Sequence, residues 1–413
     1  MKTILRGCTL AAAIVSATTA SAGGLWLNEY GDFAGGRAAA GAAAGVDEAM
    51  TLAYNPASIS RIKGNQFFVS GGAVVGDMNF DESYSNSRNG GSDGGNAGKT
   101  TVFSSMAYVH DLGSDKWSAA IGLVPLSGSG FKFDDDWVGR YQAIKVDLLV
   151  AALSPTVAYQ VTDQLSLGVT VQGYYANLEI DLALPRLDPG RPDGDGSIDG
   201  NDMDLGYTLG AMYELAPGSR FGLFYQSELK PKFGGNFKAN YSGLGPGEAI
   251  DLARNVSTDT ELELAEYVRF SVHQDMDERW GVDFTVGWDN WSALSNVLIS
   301  TQDGAAGVPT RWEDTYHVAW GTQYQLDKYW ALTGGVAYDS NPVDSEYRNA
   351  QLPVDRQIRY AVGARYALRD NLTVGGYVNY IDLGKARITG KRFGGDFDNN
   401  SATQLIANLT WKF

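Results

Sequence analysis

The side chains that could do chemistry are few and scattered. The 413-residue chain has three histidines, His110, His273 and His317, and each falls in a different alternating segment. Acid–base or metal chemistry needs such groups gathered in one place, and no Ser or Asp pattern of a lipase or protease accompanies them. An enzyme is therefore not expected. In 191–202, Asp193, Asp195 and Asp202 stand at the third, fifth and twelfth places of a calcium loop, with Gly196 sixth, Ile198 eighth and Asp199 among them. The first place is Arg191 where the loop wants an acid, and the flanks read as strand. The competing reading is an acidic, glycine-rich external loop kept in water by charge, and Asp134-Asp135-Asp136 reads the same way. No other cofactor is implied.

The elements that must position any site follow from the ends and the composition. Lys2 and Arg6, the apolar run 9–17 and then Ala20-Ser21-Ala22 have the order of a secretory signal peptide, which places residues 1–22 in a leader. The single cysteine, Cys8, lies in that leader, so the mature chain holds no disulfide and no thiol chemistry. After Gly23 nothing offers the roughly 18 consecutive apolar residues of a transmembrane helix. Losing Lys2 and Arg6 takes the formal charge from −16 to −18, which argues against a nucleic-acid partner. Glycine at 51 residues and tyrosine at 22, with only 19% charged residues, suit a large β-barrel with tight turns and aromatic girdles.

From residue 66 onward the pattern has period two. Trp280, Val282, Phe284, Val286 and Trp288 oppose Gly281, Asp283, Thr285, Gly287 and Asp289, and 357–368 and 403–413 split the same way. Such a stripe is the core of a soluble sandwich or the lipid face of an outer-membrane barrel. The connections favour the barrel. Six short polar turns, at 112–116, 162–164, 216–219, 277–278, 327–328 and 369–371, alternate with seven long connections near 81–99, 126–145, 183–202, 230–260, 290–311, 339–356 and 383–401. That gives fourteen antiparallel strands over 65–413, an even number with both ends on the short-turn side. The terminal aromatic, Phe413, also fits assembly into an outer membrane.

Residues 23–64 show neither alternation nor a spanning run. They are rich in Gly and Ala, close on Asn55-Pro56-Ala57, and fold compactly only if something encloses them. A fourteen-stranded lumen is wide enough to need filling, so the stretch reads as a plug, with Ala38–Ala44 letting backbone approach the wall and Asn55-Pro56 giving a rigid turn into the first strand. The alternative is a disordered periplasmic tail.

Leu27-Asn28-Glu29, Gly36-Arg37-Ala38 and Asn55-Pro56-Ala57 come in the order and spacing of an N-terminal hatch that the chain resembles. Trp137-Val138-Gly139-Arg140-Tyr141, Tyr225-Gln226-Ser227-Glu228, Trp288 to Trp291-Ser292, and Tyr338-Asp339-Ser340-Asn341-Pro342-Val343 with Leu352-Pro353 extend the likeness over the mature chain. The chain is similar to the FadL/TodX outer-membrane transporters of long-chain fatty acids and aromatic hydrocarbons. The resemblance implies an all-β, fourteen-stranded antiparallel transmembrane barrel with the hatch in its lumen, a hydrophobic groove among the external loops, and a lateral opening at a kinked third strand. Here that strand falls near 117–126 and runs into Pro125 and Ser127-Gly128-Ser129-Gly130, which cannot continue a ladder cleanly.

The expected function is passive uptake of hydrophobic small molecules. Burial of apolar area drives capture at about 25 cal/mol per Å², hatch movement opens a path, and the solute leaves sideways into the bilayer. Candidate capture residues are Leu182, Leu184, Leu187, Leu244, Ile250 and Leu252, and Trp26 is expected to occupy the pocket when no ligand is there. Where fatty-acid members carry two bases, this chain reads Leu182 and Glu313; a buried Glu there would repel a carboxylate, which shifts weight to neutral hydrocarbons, with Arg186 and Arg311 close enough to compensate. The other expected partners are outer-membrane lipid and lipopolysaccharide around a monomer. The rival readings are a general polar porin, which would lack the plug, and a receptor or adhesin role of the loops.

Overall fold

The computed structural model of the chain describes residues 25–86, 90–186, 192–216, 218–240, 254–294, 296–301 and 304–413. The strands in chain order are β1 Gln66–Ser85, β2 Thr100–His110, β3 Trp117–Lys132, β4 Lys145–Gln160, β5 Leu165–Leu184, β6 Gly194–Ala216, β7 Ser219–Gln226, β8 Lys232–Asn240, β9 Arg254–Glu261, β10 Tyr267–Asp275, β11 Trp280–Asp289, β12 Asn296–Thr301, β13 Gly304–Pro309, β14 Thr315–Gln325, β15 Trp330–Asp339, β16 Gln357–Arg369, β17 Leu372–Asp382, β18 Ile388–Thr389 and β19 Phe393–Lys412. Fourteen of them close the wall, all antiparallel: β1 to β7, then β10, β11, β14 to β17 and β19, which returns to β1. β8, β9, β12 and β13 make an external annex on the end of β6.

Each wall strand turns one face outward. On β11, Trp280, Phe284 and Val286 are exposed while Gly281, Asp283 and Thr285 are buried. Val318 and Trp320 on β14 and Tyr360 and Val362 on β16 continue the exposed apolar belt, which only lipid can cover. Ring pairs mark its short-turn edge, with Trp117 on Tyr159 at 4.6 Å, Trp280 on Tyr324 at 4.5 Å and Trp330 on Tyr366 at 4.7 Å. The Tyr207–Tyr225 pair, at 6.0 Å, sits toward the other edge. Among the described residues, β1, β5 and β19 run 20 residues and β6 runs 23, about twice what a tilted span needs. Those strands rise beyond the bilayer.

Three expectations need correction. Much of the connection expected near 183–202 is strand, since β5 and β6 stay paired out to Leu184 and Gly194. The connections 230–260 and 290–311 carry strands of the annex. The third strand does not stop at Pro125 but bulges between Pro125 and Ser127 and stays on β4 as far as Lys132.

Inside the wall, residues 25–62 form four 3-10 turns, Phe33–Arg37, Ala42–Ala44, Ala49–Ala53 and Pro56–Arg61, nearly all buried. Their backbone reaches the wall because the wall is glycine where they touch. A Cβ on Gly222 or Gly335 would strike the carbonyls of Ala43 and Arg37, and one on Gly168 would strike Pro56 and Ala57. Asn55 caps the last turn by accepting from the Ala57 N–H at 3.0 Å and ties it to β6 by donating to the Ala211 carbonyl at 3.0 Å. The first strand therefore begins at Gln66, ten residues after the Asn55-Pro56 turn that was expected to lead into it.

Candidate functional site

The wall has an irregular seam between β2 and β3. β2 and β3 pair from His110–Ala119 to Met106–Leu123, and the next bridge between the two sides is Gly98–Phe131. Between those points β3 turns inward. Its alternation fails, and Val124, Pro125, Leu126, Ser127 and Gly128 are all buried in succession. The hatch N-terminus lies on this stretch as a short antiparallel strand. Trp26 bridges Ser127, the Leu27 N–H donates to the Leu126 carbonyl at 3.0 Å, and the Ser127 hydroxyl donates to the Leu25 carbonyl. Pro125, Gly128 and Gly130 lie opposite Ala151, Leu149 and Asp147 of β4.

The Trp26 side chain leaves the seam and enters an aromatic chamber under the external loops. Its ring meets Tyr267 edge-on at 5.5 Å and Trp291 at 6.5 Å, and Trp312 packs on Trp291 at 5.3 Å. Phe224 closes the floor against Tyr267 at 5.6 Å. Trp26 Nε1–H donates to the Ala265 carbonyl at 2.8 Å. The void left beside the hatch, lined by Leu27, Asn28, Tyr30 and Tyr267, is about 30 Å³, room for water and not for an arene.

Beneath the chamber a buried ionic row joins hatch to wall. Arg359 meets Asp339 and, at 3.4 Å, Glu29. His317 Nδ1 lies 2.8 Å from Asp339, and Arg269 pairs with Asp289 at 2.9 Å. Below it Arg37 reaches Asp283 at 3.4 Å, and His273 sits between Asp283 and Asp275. Burial raises the Glu29 carboxyl above its usual range, against the pull of Arg359. His110 stands apart, exposed beside Tyr108.

Asp32 is a fully buried carboxyl of the hatch. Its Oδ1 accepts from the Tyr54 hydroxyl at 2.9 Å, and burial, followed by the nearby Glu48 carboxylate, pushes it up to about 7. A raised carboxyl pKa means that the closed hatch gains from the proton, and this contribution is lost as pH rises through about 7. Leak conductance in planar bilayers is therefore expected to increase several-fold between about pH 6 and about pH 8, and Asp32→Asn is expected to flatten that profile.

The other predicted residues are dispersed. Leu182 is half-buried against the apolar core and lines an external basin of about 450 Å³ with Ile144, Arg140 and Asp181. Leu184 is half-buried on the same strand. Arg186 and Arg311 are exposed, and Arg311 lies over the Tyr347 ring at 4.5 Å. Glu313, expected to be buried, is exposed, and Trp312 is the residue that turns inward. Leu187, Arg191, Leu244, Ile250 and Leu252 lie outside the described residues, as does the leader.

The calcium reading does not fit. Asp195, Asp199 and Asp202 lie along the extended β6, which spreads them, and three of the four acids have other partners. Asp193 binds Arg140 at 2.9 Å and the Tyr141 hydroxyl, Asp199 binds Lys238 at 2.7 Å, and Asp202 accepts from the Lys232 N–H at 2.7 Å.

Sequence reasoning missed Phe224, Tyr267, Trp291 and Trp312. It also missed that the lumen is apolar in its outer half: Leu148, Val150, Tyr174, Ala176, Leu178 and Ile180 are buried on the inner faces of β4 and β5. The signal was present in the unbroken run Leu148-Leu149-Val150-Ala151-Ala152-Leu153, which is apolar on both faces.

Comparison with known proteins agrees with this architecture. The "Long-chain fatty acid transport protein" of Escherichia coli O6:H1 is 25% identical over 422 residues, covering 94% of this chain and 93% of that protein. "Outer membrane protein P1" of Haemophilus influenzae is 27% identical over 435 residues, covering 95% and 91%. The crystal structure of a Pseudomonas aeruginosa FadL homologue superposes with a TM-score of 0.85 at 18% identity, over 94% of this chain and all 100% of that one. The Ralstonia pickettii toluene transporter TbuX superposes at 0.69 and 16% identity, over 94% and 99%. Residues 13–410 match the family model described as outer membrane protein transport protein (OMPP1/FadL/TodX), and the chain belongs to that family of outer-membrane transport proteins.

Proposed function

We propose that the protein is a passive channel for neutral hydrophobic small molecules, aromatic ones above all, which enter through the loops and leave sideways at the β2–β3 seam. One observation carries this reading: a single segment does two jobs. The Trp26 ring fills the aromatic chamber, and the backbone of Trp26 and Leu27 is stitched to the inward-turned β3. A solute that displaces the ring from the chamber pulls on the segment that lines the seam. Capture and release are thereby coupled without any energy source.

The choice of a neutral cargo rests on charge. Among the described residues the cation nearest the chamber is Arg269, already paired with Asp289, while Arg186 and Arg311 point to solvent. A carboxylate there would be buried without a counter-charge, at a cost of several kcal/mol by order of magnitude. The apolar inner faces of β4 and β5 speak against a polar porin. The closed wall supports a monomer in lipid and lipopolysaccharide, and a leader of 1–22 would deliver it there; no step of the transport cycle needs a catalyst or a metal.

Trp26 is an intramolecular competitor, so the apparent affinity of any chamber ligand is lowered by the fraction of time it is seated. Trp26→Ala is expected to bind naphthalene at least about fivefold more tightly than the wild-type chain, read by native mass spectrometry in detergent. Unchanged or weaker binding would refute the shared role of this segment.

A further inference from the structure

The way Trp26 is held indicates what kind of solute replaces it. Besides its ring contacts, the indole offers one hydrogen, which the Ala265 carbonyl takes at 2.8 Å. Ala265 is fully buried, so when Trp26 leaves, that carbonyl has lost its donor. A second polar atom faces the opposite need. Trp291 is 0% exposed, and its Nε1–H has no acceptor among the described residues. It sits between Trp26 and Trp312. The vacated chamber therefore presents a freed acceptor, the Ala265 carbonyl, and an unpaired donor, the Trp291 N–H, among its rings, with the unpaired Asn28 amide lining the adjoining void.

Different solutes answer that pair differently. A plain hydrocarbon fills the chamber and leaves both groups unmade. A ketone or ester satisfies the donor alone. A carboxylate also accepts only, and brings a charge that the already paired Arg269 cannot balance. A hydroxylated arene supplies an O–H for the carbonyl that Trp26 gives up and an oxygen for the Trp291 N–H. We propose that the preferred cargo is a phenol-type arene, and that Trp291 is the residue that selects it. This rests on the uptake reading above, because Trp26 must leave the chamber.

The test compares 2-naphthol with naphthalene on the full chain in one detergent, in wild type, Trp291→Phe and Trp26→Ala. Wild type is expected to bind 2-naphthol about tenfold or more tightly over naphthalene, one good buried hydrogen bond's worth. Trp291→Phe keeps an aromatic ring and drops the N–H. It is expected to erase most of that preference by weakening 2-naphthol binding several-fold more than naphthalene binding. Equal binding of the two compounds by wild type overturns the selectivity and leaves the uptake reading standing, and so does an equal loss of both in Trp291→Phe. Failure of either compound to bind even Trp26→Ala overturns the uptake reading, and this inference with it.

Discussion

Arg359→Met is expected to open the channel at rest, raising leak conductance at least about tenfold, while the barrel itself stays folded. Arg359 is fully buried and sits between Asp339 of the wall and Glu29 of the hatch, with Gln357 as a further acceptor. Removing one partner of a buried ion pair costs about 3–5 kcal/mol, because the other charge is left without compensation. Glu29 would lose its ion-pair partner, while Asp339 keeps His317 at 2.8 Å. Asp339 is fixed in β15, whereas Glu29 reaches water if the hatch N-terminus moves. The strain is relieved by hatch release and not by loss of the barrel. Glu29→Gln gives the contrasting result. Its removal leaves Arg359 with Asp339 and Arg269 with Asp289, two balanced pairs, so its leak is expected to stay within about twofold of wild type. Equal leak in both variants would show that the ionic row does not hold the hatch.

The sequence made the wall legible because lipid on one side and a packed lumen on the other enforce period two. Trp280 to Trp288 alternates for that reason, and the short turns fall at residues that break a ladder. Where both faces are apolar the alternation vanishes, and Leu148 to Leu153 reads as an undifferentiated run although its inner face lines the outer lumen. The break in β3 was visible in Pro125 and the glycines after it. Which neighbour the strand abandons was not, because pairing with β2 or β4 depends on what fills the gap, and the hatch does. The acids of 193–202 looked like a loop since Gly and Asp disfavour strands, yet the pairing of β6 with β5 and β8 overrides that preference. Trp291 and Trp312 sit in loop sequence, so no periodicity reveals that they converge on Trp26. The inward glycines, Gly222 and Gly335 among them, acquire meaning only once the hatch backbone is set against them.

A reversible cross-link between hatch and seam separates gating from binding. Leu27 donates its N–H to the Leu126 carbonyl, in register with the Trp26–Ser127 bridge. Directly opposed residues of an antiparallel pair have Cα atoms about 4.5–5.5 Å apart, within the range a disulfide accepts. The mature chain offers no competing thiol, because Cys8 precedes the expected cleavage point. Leu27→Cys with Leu126→Cys is therefore expected to oxidise cleanly and to leave Trp26 in place. Since the locked segment cannot leave the seam, release of an arene into proteoliposome bilayers is expected to fall at least about tenfold on oxidation and to return on reduction. Binding should weaken as well, because the tether keeps the Trp26 ring close to the chamber. A lock that blocked binding yet left residual flux unaltered would mean that solute bypasses the seam and runs down the lumen. That route has to pass the four turns of the hatch, which fill it with buried alanines and the Arg37–Asp283 pair. Opening it would require the whole plug to leave, whereas the lateral route requires only residues 25–30 to move, and the smaller displacement breaks fewer contacts.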